Sequence, residues 1–254
     1  MRNVSVRAFE DTPRPVVAAG NDYPDAYELA SHRHRRHQLL YAAEGVVTVN
    51  TPQGAWAAPP ERAVWIPAGL DHAVRMVGAV STRSALIAPE ACPTRGEVCQ
   101  VLAVSPLLRQ LLVAAAELPA EYDEDGRDGL VMSLLLAEVA AAPRVPLAVP
   151  FPQNPTLARR CHAFLERPDA QAVIDDWSQD LGMGRRAFTR AFRRETGMSF
   201  QAWRQQACLL IALPRLAAGE PVTTIALDLG YDSPAAFATM FKRLTGIPPS
   251  RYQP

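Results

Sequence analysis

"RRAFTRAFRRETG", Arg185 to Gly197, sets five arginines around two phenylalanines, Phe188 and Phe192, four residues apart. On a helix turning about 100° per residue, Ala191, Phe192 and Glu195 fall within about 60° of Phe188. Arg186, Thr189, Arg190 and Arg193 fall roughly 100° to 200° away, on the opposite side. The spacing predicts a helix over 184–195 that buries its phenylalanines and exposes its arginines. A merely solvated face usually mixes acids with bases, and here the first acid is Glu195.

The stretch has a second copy. "AFATMFKRLTG" at 236–246 lies 49 residues after "AFTRAFRRETG" at 187–197 and matches it at six of 11 positions, with Lys242 in place of Arg193. Upstream, "LGMGRRAF" (181–188) faces "LGYDSPAAF" (229–237). Each copy reads as helix, glycine-containing turn, helix, the pattern of a helix-turn-helix whose second helix enters the DNA major groove. Arginine suits that task, because its planar fork of donors fits phosphate or the O6/N7 edge of guanine. The predicted helices of the region are 156–167, 170–180, 184–195, 199–217, 221–229 and 234–244. The fourth, connecting helix would separate the two motifs by about 28 Å at 1.5 Å per residue. That approaches the roughly 34 Å turn of DNA, so both motifs would reach successive major grooves.

These residues also resemble a known family. "RRAFTRAFRRETGMSFQAWRQQA" followed by "VTTIALDLGYDSPAAFATMFKRLTGIPPSRY" is similar to the DNA-binding region of AraC/XylS-family bacterial transcription regulators, over about the last 85 residues. The resemblance implies base reading by Arg186, Thr189 and Arg190 in the first motif, and by Pro234, Ala235 and Thr239 in the second. Arg185 and Arg193 are also expected to contact DNA. The second motif offers small apolar groups, so thymine-methyl contacts and shape fit are expected there, with phosphate anchored by Ser233, Lys242 and Arg243. Three positions depart from the family pattern. Gly184 replaces a serine N-cap, Cys208 replaces an arginine, and Pro214 sits inside the connecting helix, where a kink or early break near Leu213 is expected.

The front of the chain differs in texture. Residues 1–90 read as short strands punctuated by Gly, Pro and Asn, such as "QLLYAAEGVVTVNT" and "RAVWIPAG", the pattern of a small barrel or sandwich. In "LLYAAEGVVTV" a glycine stands where two strands would meet. Two apolar helices follow at 105–118 and 127–142, expected to pack on the barrel and to form a homodimer interface. "PRVPLAVPFPQNP" (143–155) has five prolines in 13 residues and reads as a stiff linker. The expected organisation is thus α+β in two domains. Residues 1–142 form a sensor and dimerisation domain, 143–155 the linker, and 156–254 an all-α DNA-binding domain with two helix-turn-helix motifs.

"HRHRRHQLLYAAEG" (32–45) and "PAGLDH" (67–72) resemble the two cupin motifs, over roughly residues 30–88. In the metal-binding version of that family, His32, His34, Gln38 and His72 stand at the ligand positions. His32 and His34, two apart on a strand, would share a face, and His72 would arrive from a neighbouring strand. Imidazole suits Zn, Ni, Fe or Cu. Gln38 in place of a carboxylate leaves the cation's charge unneutralised, and His37 points to the other face.

Composition sets the remaining bounds. The 26 basic and 26 acidic residues cancel, but from Pro155 onward there are 13 basic and 9 acidic, a local excess that matches an anionic partner. The four cysteines are scattered, as in a reducing cytosol. No leader pattern opens the chain and no apolar run is of membrane-spanning length, so a cytoplasmic place with no membrane partner is expected. The reading is a non-enzymatic, sequence-specific regulator of transcription. Its partners are double-stranded promoter DNA, a small-molecule or metal effector, and RNA polymerase if it activates. The alternative is a metal-dependent cupin enzyme with an appended DNA-binding domain.

Overall fold

In the first half of the chain, buried and exposed residues alternate along extended segments, which the sequence encodes in β-branched and aromatic runs between turn residues. The structure, a computed structural model, describes residues 6–59 and 61–252. The first residues of the stretch read for a leader, 1–5, therefore lie outside the described residues. The chain divides into two compact units: one runs to Thr51 and resumes over Trp56–Leu147, and the other comprises Pro52–Ala55 and Ala148–Pro254. The first is rich in sheet and the second is helical.

In the first unit the strands are β1 (Val16–Tyr23), β2 (Glu28–His32), β3 (His37–Thr51), β4 (Gly54–Ala58, which starts in the other unit's short segment), β5 (Arg62–Ile66), β6 (His72–Ile87), β7 (Gln100–Ala103) and β8 (Arg144–Val145). They pair in the order β1-β6-β3-β5-β7-β8, and β2 also pairs with β6. Helices α1 (Pro106–Ala115) and α2 (Arg127–Ala141) pack on one face. There Leu39, Tyr41, Trp65, Ala85 and Ile87 meet Leu108, Leu112, Leu135 and Val139. Because side chains alternate along a strand, Gln38 and Ser84 point to the opposite face.

Gly45 does not divide two strands, contrary to the sequence reading; β3 runs through it. The pairing with β6 slips between Ala42 and Val46, and Gly45 takes a φ of +72°. A Cβ there would lie 2.6 Å from the Ala79 carbonyl oxygen. The glycine bends one long strand instead of ending it.

The prolines of 143–155 carry more structure than a bare linker. β8 pairs with β7, β9 (Ala148–Pro150) follows, and Leu147, Val149 and Phe151 are buried. The division between the units falls inside this stretch, after Leu147.

The second unit comprises β9 and the helices α3 (Pro155–Glu166), α4 (Ile174–Asp180), α5 (Arg185–Thr196), α6 (Phe200–Ala217), α7 (Val222–Asp228) and α8 (Pro234–Thr245). Phe188, Phe192, Phe200, Trp177 and Trp203 interlock with ring centroids 4.8–6.5 Å apart, mostly edge to face. The indole of Trp203 donates to the Pro150 carbonyl at 2.7 Å. Around α8 a smaller set, Phe237, Phe241, Tyr231 and Tyr252, does the same work.

The sequence repeat is also a repeat of helix endings. Thr196 and Thr245 each donate to the carbonyl four residues back, at 2.7 and 2.9 Å. Each is followed by a left-handed glycine, Gly197 or Gly246.

The early break expected at Pro214 does not occur; α6 continues to Ala217. The proline removes one hydrogen bond, to Leu210, within the helix's last two turns. Leu210, Leu213, Pro214 and Leu216 are all buried there. Beyond them Arg215 clamps the helix end with ion pairs to Glu220 at 2.7 Å and Asp228 at 2.5 Å. Burial of this turn offsets the roughly 3 kcal/mol that an interior proline costs.

Candidate functional site

α5 starts at Gly184 without a side-chain cap. Its hydrophobic side is fully buried at Phe188 and Phe192, while Arg185, Arg186, Thr189, Arg190, Arg193 and Arg194 are exposed. These arginines are not equivalent. Arg185 reaches back to Asp175 on α4 at 2.8 Å, and Arg194 pairs with Glu195 at 3.3 Å. Among the described residues, no acceptor holds Arg186, Arg190 or Arg193. Three guanidinium groups thus stand uncommitted on one helix face. The Thr189 hydroxyl donates to the Arg185 carbonyl at 2.8 Å, so outward it offers only lone pairs and a methyl group.

α8 is built differently at its start. The Ser233 hydroxyl accepts from the Ala236 amide at 3.2 Å and caps the helix, and Pro234 follows. Ala235 and Thr239 are exposed, and Thr239 donates to the Ala235 carbonyl at 2.9 Å. Lys242 is exposed, and Arg243 donates to Gln205 on α6 at 2.7 Å. Cys208 is fully buried, and that burial pushes its thiol up to about 12, so it stays protonated.

In the first unit the structure brings the three histidines together, with Gln38 beside His34. β2 ends at His32, which pairs in register with His72 at the start of β6. His34 follows in the connection to β3, so the expectation of two histidines on one strand is corrected; the chain turns at the strand end and brings the ring back. The ring centroids lie 4.3 Å (His32–His72), 5.0 Å (His34–His72) and 6.2 Å (His32–His34) apart. One ligating atom from each ring falls within 4.8 Å of the others.

The backbone sets the tautomers. His32 Nδ1 faces the Ala30 carbonyl at 2.8 Å, His34 Nδ1 the Arg36 carbonyl at 2.6 Å, and His72 Nδ1 the Leu70 carbonyl at 2.9 Å. A carbonyl only accepts, so each Nδ1 carries the proton and each neutral ring keeps its lone pair on Nε2. In His72 that Nε2 is buried and has no partner. Burial holds His34 below the usual histidine range and lowers His72 to about 4.

Gln38 is not a free fourth ligand. Its amide lies 2.9 Å from His34 Nε2 and 3.1 Å from Ser84 Oγ. His37 faces the other side of β3, where its Nδ1 accepts from the Ala68 amide at 3.0 Å and its ring lies 4.8 Å from Trp65.

Comparison with known proteins bears on both units. Residues 177–254 match the family model for a helix-turn-helix domain. Over 238 residues the chain is 33% identical to the HTH-type transcriptional regulator NimR of Escherichia coli (strain K12), covering 93% of this chain and 85% of that protein. The chain belongs to the AraC/XylS family of transcription regulators. A second relative, the HTH-type transcriptional regulator ExsA of Pseudomonas aeruginosa, is 26% identical over 221 residues, 84% of this chain and 76% of its own. Among solved structures, ToxT from Vibrio cholerae aligns over 94% of this chain and 98% of its own, at 8% identity and a TM-score of 0.39. As a member of this family, the regulator binds DNA and controls transcription. No helix among its described residues is long and apolar enough to cross a membrane.

The structure adds residues to this regulator that sequence patterns did not single out. Asp175 neutralises one arginine of α5, and Ser84, 46 residues from Gln38, holds that amide in place. Neither carries a motif; each acts through a contact distant in sequence.

The His72 shift has a measurable consequence in the metal-free protein. The unfolded imidazole titrates near 6.5 and the folded one near 4. Between these values the unfolded chain binds a proton that the folded chain refuses. The contribution is therefore complete above about pH 6.5 and is lost as pH falls toward 4, by up to about 3 kcal/mol. Urea midpoints of chelator-treated protein should fall across that window, and His72→Asn should flatten the fall.

Proposed function

We propose that the regulator grips promoter DNA with two helix-turn-helix motifs, α4–α5 and α7–α8, under control of a cupin-like first unit that binds a divalent transition metal. In the first motif Arg186, Thr189 and Arg190 read base edges, while Arg185 and Arg193 lie along phosphates. In the second, Pro234, Ala235 and Thr239 fit thymine methyls and groove shape, with Ser233, Lys242 and Arg243 toward the backbone. The uncommitted guanidinium groups of Arg186 and Arg190 support their assignment to base edges, and the Arg185–Asp175 pair supports a lesser role for Arg185. Leu130 and Leu134, one turn apart on α2, are 71% and 45% exposed, which supports a homodimer formed through that helix.

The observation that carries the metal reading is the common tautomer of His32, His34 and His72. Each Nδ1–H is held by a carbonyl, which leaves every neutral ring its lone pair on Nε2 and fixes ring orientation for a ligand, and one ligating atom of each ring lies within 4.8 Å of the others. A bound Zn, Ni, Fe or Cu ion would supply a fixed positive charge joining the β2 end to β6. Such an effector shifts the regulator between states only to the extent that it binds one of them better.

The test is metal content by mass spectrometry on the untagged protein and on His72→Ala, alongside DNA binding. Close to one ion per chain in the parent, lost in the variant, is expected. If neither binds metal after incubation with Zn, Ni, Fe and Cu, the histidines are packing residues. The search for an organic effector then moves to the cavity of about 570 Å³ beside His37, walled by Pro67, Leu70, Pro89 and Glu97. Oxygen uptake by iron-loaded protein would instead favour the enzyme alternative.

A further inference from the structure

Gln38 stands at a ligand position, yet its contacts describe a different task. The side chain is buried, as are those of His34 and Ser84. His34 Nδ1 donates to the Arg36 carbonyl, so the neutral ring has only a lone pair on Nε2. A lone pair 2.9 Å from the Gln38 amide needs a donor. The amide is placed with its oxygen toward His34 Nε2 and its nitrogen toward Ser84 Oγ, 3.1 Å away. A half-turn exchanges the two atoms, and the His34 tautomer requires that half-turn, with the N–H toward His34 and the oxygen accepting from the Ser84 hydroxyl. In this arrangement every polar atom of the trio is satisfied. His72 shows the contrast, since its Nε2 is equally buried and nothing engages it.

We propose that Gln38 is a latch rather than a ligand: its amide covers the ligating atom of His34, and the site completes itself only when the amide withdraws and releases Ser84. The inference rests on the metal reading of the cluster. The geometry makes it regulatory as well. Gln38 lies on β3 and Ser84 on β6, the two long paired strands, so opening the latch removes a side-chain tie between them. A neutral amide suits this task. A carboxylate has no N–H with which to cover a neutral imidazole, whereas a glutamine closes the site until a cation displaces it.

The sign of one substitution separates latch from ligand. Zinc affinity is measured at pH 8 on the full-length protein by competition with a chromophoric chelator, for the parent, Gln38→Ala, Ser84→Ala and His72→Ala. A latch predicts that Gln38→Ala binds zinc about three- to tenfold tighter than the parent, because a hydrogen bond no longer has to break. Ser84→Ala, which loses a single hydroxyl, should move the same way by less and guards against misfolding at position 38. If Gln38→Ala binds zinc equally or more weakly while His72→Ala loses it, the latch is overturned and the metal reading stands. If the parent binds no zinc, both fall. Nitrogen chemical shifts of His34 give a second readout on metal-free protein. The Nε2 signal should move in Gln38→Ala, and an unchanged Nε2 overturns the latch.

Discussion

The pair Arg186→Ala and Arg190→Ala should together lower affinity for the operator by about 2–6 kcal/mol, since a bidentate base contact is worth about 1–3 kcal/mol each. The expectation rests on what these side chains lack. Both are exposed on α5 and neither has an acceptor among the described residues, so DNA displaces no existing partner. Arg185 is the internal control. It already shares its charge with Asp175 at 2.8 Å, and an exposed pair of this kind is worth about 0–1 kcal/mol. Arg185→Ala should therefore weaken binding less than either partner substitution. Fluorescence anisotropy at fixed salt, with an operator selected from random sequences and a scrambled duplex, separates base reading from simple charge. Loss on the operator alone assigns the arginines to bases. Equal loss on both duplexes assigns them to phosphates, and the slope of log affinity against log salt should then fall by about one per arginine removed. An affinity indifferent to salt in the parent would contradict direct DNA binding through this face.

What could be read from the sequence follows from how local each cause is. The helix carrying Phe188 and Phe192 is set by a period within one segment, and the structure places it at Arg185–Thr196, within one residue of the predicted span. The copy 49 residues on was legible because Phe241, Thr245 and Gly246 repeat the same packing and the same helix ending. The early break expected at Pro214 is absent because the cost of the proline is local while its compensation is not: the clamp of Arg215 on Asp228 spans two helices. Gly45 misled for a similar reason, since only the Ala79 carbonyl on another strand reveals that the glycine serves a close approach. At the histidines, residue type and spacing marked the right rings, although His34 lies beyond the strand that was to carry it. The tautomers and the state of Gln38 were illegible. They depend on the Ala30, Arg36 and Leu70 carbonyls and on a serine 46 positions away, none of which has a sequence signature.

The arginine face works only if the helix beneath it is held, and Phe192 is where that support concentrates. Its ring is fully buried and lies 5.5–6.5 Å from the rings of Phe188, Trp177, Phe200 and Trp203. Phe192→Ala removes a buried aromatic and opens a cavity among rings that cannot easily close it, a loss of about 3–5 kcal/mol. Against a typical total of about 5–15 kcal/mol, that is a third or more of the stability of many domains. Trp177 and Trp203 sit in this cluster and Trp56 and Trp65 in the first unit, so urea unfolding followed by fluorescence reports on both. The variant should bring forward the transition that involves Trp177 and Trp203 and lose operator binding at temperatures where the parent still binds. Phe241→Ala, at the equivalent position of the second copy, removes a ring whose aromatic neighbours among the described residues are Phe237 and Tyr252, at 5.7 and 5.2 Å, and should cost less. If the two substitutions destabilise equally, the larger aromatic cluster adds nothing to the first motif beyond ordinary burial. If Phe192→Ala costs more, the copy with the uncommitted arginines is also the copy with the stiffer support, as a base-reading helix requires, because bidentate contacts are lost with small changes of orientation.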